Sequence, residues 1–140
     1  SRRQRQMCIR DSFYIGNCLA EMEQYEEALN YFFKLDFIKS NCVKAWRGIG
    51  WCSFISRKYE QAMKYYEKII GQKPQAIDYM NAGHVVWVMG DIQKAVTFYE
   101  KAIIACESRE HFLEMFHKDK EALLKQGVRE EDIPLMLDLL

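Results

Sequence analysis

No stretch of about eighteen uncharged apolar residues occurs in this 140-residue chain, so no helix is expected to cross a bilayer. The N-terminus also lacks the charged start and apolar middle of a secretory leader. An excess of either charge is missing as well. Twenty basic and twenty acidic side chains cancel, so no global field concentrates polyanions, which argues against nucleic acid and leaves binding to local surfaces. Arg2, Arg3, Arg5 and Arg10 form the one basic cluster and read as a solvated chain end. Among Cys8, Cys18, Cys42, Cys52 and Cys106 no two stand at the spacing of a zinc knuckle or a redox dithiol. Scattered and odd in number, they read as small buried hydrophobes of a reducing compartment, and a cytoplasmic location is expected.

Signatures of chemistry are equally scarce. Gly48-Ile49-Gly50 falls inside a helical pattern, without the preceding strand that a phosphate loop needs. Glu114 and His117 lie one helical turn apart, but a di-iron bundle site needs two such pairs. His84 has no serine, cysteine or carboxylate fixed beside it by sequence. No catalytic residue, cofactor or metal is expected, and the chain reads as a non-enzyme.

What the chain does contain is core material, 49% hydrophobic and 14% aromatic residues, arranged with a period. Tyr25 to Phe32 aligns with Tyr59 to Tyr66 and with Ile92 to Tyr99. Ala28, Ala62 and Ala95 recur 34 and 33 residues apart, and Gly16, Gly50 and Gly83 keep the same spacing. Within each unit apolar residues return at three and four, as in Trp46, Ile49, Gly50, Ser53 and then Tyr59, Ala62, Tyr66, Ile69. Each unit is therefore two helices, with Gly90-Asp91 and Gly71 with Pro74 as breakers, and short connections make antiparallel hairpins. A glycine in mid-helix costs about 1 kcal/mol, so three in register imply a close neighbour, expected to be the partner helix with Phe32, Tyr66 and Tyr99 beside the contact.

Trp46, Ile49, Gly50, Tyr59, Ala62, Tyr66, Ile69 and Pro74 follow the signature of the tetratricopeptide repeat, which residues 9 to 108 resemble. The outer units depart from it at Ser12, Ser40, Ala82 and Glu107. The resemblance implies an all-α, right-handed superhelix of three hairpins, residues 9–42, 43–75 and 76–108. An extension, residues 1–8, precedes them. A capping helix and apolar segment, residues 109–140, follow. Phe112, Phe116 and Leu123 form the stripe of that cap, Gly127 ends it, and Glu130 to Pro134 read as a new helix start. The chain has no initiating methionine and stops within the apolar run Leu137 to Leu140, as a piece of a longer protein would.

In families built this way, the first helices line a concave face that receives ligands. The stripes opposite the packed glycines are Arg10, Phe13, Asn17 and Ala20 in the first unit and Lys44, Arg47, Trp51 and Phe54 in the second. Ile77, Met80, His84 and Trp87 form the third. The expected partner is a protein or peptide with apolar anchors and some acidic residues; no nucleic acid or membrane is expected to bind. Asn17 matches the clamp by which one subclass holds a C-terminal carboxylate, whereas Phe13, Gly48, Ile77 and Asn81 do not, so that activity is not expected. The expected role is a scaffold or adaptor. Two alternatives are a cytoplasmic chaperone like those of type III secretion translocators, and a structural module that dimerises through its apolar C-terminus.

Overall fold

The computed structural model describes residues 1–140, all of them, and the chain is all-helical. Its helices are α1 (Arg2–Glu21), α2 (Tyr25–Ile38), α3 (Val43–Ile55), α4 (Tyr59–Ile70), α5 (Ala76–Val88), α6 (Ile92–Cys106), α7 (Arg109–Lys118), α8 (Lys120–Lys125) and α9 (Asp132–Asp138). They fall into two compact units, Ser1–Ile69 and Ile70–Leu140.

The repeated small residues are explained by aromatic rings across each hairpin. A Cβ added at Gly16 would meet the Phe32 ring of α2 at 2.9 Å, one at Gly50 the Tyr66 ring of α4 at 2.8 Å, and one at Gly83 the Tyr99 ring of α6 at 2.6 Å. Real Cβ atoms do not approach this closely, so glycine is what lets each pair of helices close on an aromatic plug. Ala28, Ala62 and Ala95 are wholly buried beside these contacts.

Helix ends are set locally. Asp91 accepts the Lys94 amide at 3.0 Å to start α6, and Ser108 accepts the His111 amide at 3.1 Å to start α7. The chain turns within each hairpin through a left-handed residue, Glu23, Arg57 and Gly90, again 34 and 33 apart. Glu107, in the place of the repeat's proline, has φ 58°. Proline is locked near −65° and cannot adopt that angle, so this departure from the signature follows from the backbone.

In the first unit, Asp36 of α2 joins three helices. It accepts from Trp46 Nε1 of α3 at 2.8 Å and from the Tyr65 hydroxyl of α4 at 3.5 Å, while Lys68 Nζ lies 4.7 Å above the Trp46 ring. In the second unit the expected single capping helix is two helices, α7 and α8, broken at Asp119. Phe112 and Phe116 of α7 pack on Tyr99, at ring separations of 5.9 and 5.6 Å. The apolar C-terminal segment folds back as α9, burying Ile133 and Met136. Arg109 holds its end by donating to the carbonyls of Leu140 and Leu137 at 2.8 and 3.2 Å.

Candidate functional site

The first unit presents the expected stripe in an accessible form. On α1, Ser12 and Gly16 are buried, which turns Phe13 and Asn17 to the margin of the packed side and Arg10 fully outward. On α3 the buried set of Ala45, Trp46, Ile49 and Gly50 leaves Lys44 exposed and Arg47 and Trp51 half-buried. Lys44 Nζ lies 5.2 Å from the centroid of Phe13, joining the two helices by a cation–π contact. Phe13 itself rests on Leu35, Cys42 and Ala45, so its ring is held from below. Trp51 leans on Phe54 at 5.5 Å, and Phe54 on Tyr59 at 6.0 Å.

Phe54 was expected on that surface and is not. Its exposure is 0%, and it serves as the support that orients Trp51. The N-terminal arginines are exposed, as their reading as a solvated end expects. Arg2, Arg5 and Arg10 with Gln6, Ile9 and Lys39 line an open cavity of about 360 Å³, and Arg5 is anchored by donating to the Ile38 carbonyl at 2.8 Å. No carboxylate lines it, so the basic edge continues from Arg10 to the end of α2. The i, i+3, i+4 spacing of Arg2, Arg5, Gln6, Ile9 and Arg10 was the signal that placed them on one side of a helix.

The second unit corrects the rest of the expected stripe. Met80 and His84 are at 0% exposure and Trp87 at 9%, so α5 does not present these side chains to a ligand. His84 Nδ1 is 2.7 Å from the Tyr99 hydroxyl and Nε2 is 3.0 Å from Asp119 Oδ2. The carboxylate accepts, so the His84 Nε2 proton points at Asp119 and the other ring nitrogen is engaged by the Tyr99 hydroxyl. Burial, followed by the charge of Asp119, pushes the Tyr99 hydroxyl well above its ordinary pKa. Phe116 faces both His84 and Trp87, and Gln126 to Arg129 with Asp132 run past Trp87 around a cavity of about 280 Å³. The chain's own C-terminal segment takes the space beside α5.

Cys52 of α3 is buried, and burial pushes its thiol up to about 12. No helix is long and apolar enough to cross a membrane.

The tetratricopeptide-repeat family model matches residues 43–75 and 79–104. Twenty-four chains of known structure match the fold. Among them is YrrB, described as "a TPR protein with an unusual peptide-binding site", at a TM-score of 0.64 and 17% identity, covering 83% of this chain and 67% of that one. No curated protein matches.

Proposed function

Starting from a chain that is a tetratricopeptide-repeat protein, we propose that it is a non-catalytic protein-interaction module whose first unit holds a partner peptide on the face shared by α1 and α3. Trp51 and Phe13 supply apolar anchorage, and Arg10, Lys44 and Arg47 meet acidic groups of the peptide, with Asn17 between them. The observation that carries this reading is the contrast between stripes at equivalent positions. Those of α1 and α3 keep Arg10, Phe13, Asn17, Lys44, Arg47 and Trp51 at least partly exposed, whereas α5 buries Met80 and His84, the counterparts of Arg47 and Trp51; Trp87, like its counterpart Phe54, is buried.

The residue types suit such a role. A tryptophan already braced by Phe54 loses little side-chain freedom on binding, and tryptophan and arginine carry much of the energy at interfaces. The cationic rim speeds encounter with an acidic partner and weakens with salt. The peptide-binding neighbour of similar fold suggests the ligand class, and free cysteines suit the cytoplasm as the place of action. Selection of short random peptides on the full chain, followed by affinity measurement on Trp51→Ala, tests the reading. Selected peptides should combine apolar and acidic residues and lose affinity on the variant.

A further inference from the structure

A ligand for the α1–α3 face has to offer apolar anchors and acidic groups together, and this chain carries such a segment itself. From Glu130 to Leu140 it holds four acidic residues, four leucines and no basic residue. Folded as α9, the segment buries Ile133 and Met136 but leaves Leu135 62% and Leu139 58% exposed. The two leucines stand four residues apart, one helical turn, and so share a side of the helix, with exposed Asp138 next to them. Apolar side chains grouped in this way mark an interaction surface.

The charges on the two surfaces are left open in complementary fashion. Near the start of α9, Glu130 pairs with Lys120 at 3.1 Å, and Arg129 reaches Glu131 and Asp132 at 3.6 and 3.2 Å. Asp138 enters no such pair, so the carboxylate beside the exposed leucines is the one without a counter-charge. On the α1–α3 face, exposed Arg10 and Lys44 likewise meet no carboxylate, and Lys44 rests on the Phe13 ring. Exposed ion pairs contribute little, so these charges orient a contact whose strength comes from burying the leucines against Phe13 and Trp51.

We propose that Leu135, Asp138 and Leu139 of α9 dock on the α1–α3 face of a second copy of this chain, the leucines on Phe13 and Trp51 and Asp138 toward Arg10 and Lys44. The proposal rests on the peptide-face reading and names one ligand of that face. Both surfaces are accessible as folded, so docking needs neither α9 nor the first unit to open. The contact joins unlike surfaces, so it closes into a ring or extends as a chain of copies.

Sedimentation velocity on the full chain across the micromolar range tests it. The average mass should rise above the 16.7 kDa of one chain as concentration increases. Trp51→Ala, which impairs the face, and Leu135→Ser with Leu139→Ser, which impairs α9, should each weaken association by about tenfold or more. Mixing the two variants should restore association but stop it at two chains, because one intact face then meets one intact α9. If Trp51→Ala loses helical ellipticity, Lys44→Glu at an exposed position takes its place in the mixture. A parent chain that stays monomeric overturns the proposal. So does association indifferent to either variant, or a mixture that fails to associate. Selected peptides that bind a monomeric parent and lose affinity on Trp51→Ala would remove this proposal and leave the peptide face standing. Peptide affinity unchanged in folded Trp51→Ala would remove both.

Discussion

Asp119, the residue at which the cap breaks between α7 and α8, holds Nε2 of His84 at 3.0 Å across 35 residues of sequence. The histidine has 0% exposure and spends its other nitrogen on Tyr99. This bond turns a residue in a ligand-facing position into a structural one. Asp119→Ala leaves a buried ring nitrogen without its partner, which costs about 1–3 kcal/mol. Urea unfolding should show that loss, while affinity for peptides selected on the first unit should not change.

Tyr99 adds a pH limit of definite sign. Its folded pKa is raised, so the protonated form is favoured by folding and its stabilisation is fully present below the ordinary tyrosine value near 10. As pH rises above that value the unfolded chain releases the proton first and stability falls. Unfolding followed by circular dichroism should therefore begin above about pH 10, and Tyr99→Phe should flatten that alkaline loss while lowering stability at neutral pH through the lost His84 bond.

Gly83→Ala places a methyl 2.6 Å from a Tyr99 ring that His84, Phe112 and Phe116 hold in place. Overpacking of this kind costs about 1–3 kcal/mol. A thermal midpoint no lower than that of the parent protein would show that α5 and α6 are not closed on the ring.

The repeat period, the hairpins and the glycine–aromatic contacts were all legible in the sequence, because each depends on spacing within a unit. Exposure of the stripes was not. Met80 and His84 occupy the same register as accessible residues of the first two repeats, and what lies against α5 includes Phe116 and the segment from Gln126 onward, which lie outside the period. Phe54 was misread for a related reason: its burial depends on Trp51 and Tyr59, and a three-and-four count does not fix ring packing. Asp36, joining Trp46 and Tyr65, had no counterpart in the repeat signature to reveal it.

Thiol chemistry separates exposed from buried cysteines. Cys8 is exposed, Cys42 and Cys52 are buried, and burial pushes the Cys52 thiol up to about 12, disfavouring its thiolate. A neutral-pH titration with a chromogenic disulfide should modify Cys8 rapidly and Cys42 and Cys52 only on unfolding. Rapid reaction of Cys52 in the folded chain would contradict the packing of α3.

The central claim concerns the α1–α3 face, and the direct measurement is the affinity of a selected acidic, apolar-anchored peptide for the parent chain and for Trp51→Ala. The account predicts a loss of about tenfold or more, equivalent to about 1.4 kcal/mol. Arg10→Glu with Lys44→Glu should bring a comparable loss that shrinks as salt is raised. Unchanged affinity in a folded Trp51→Ala protein would contradict the account and move the partner's site elsewhere.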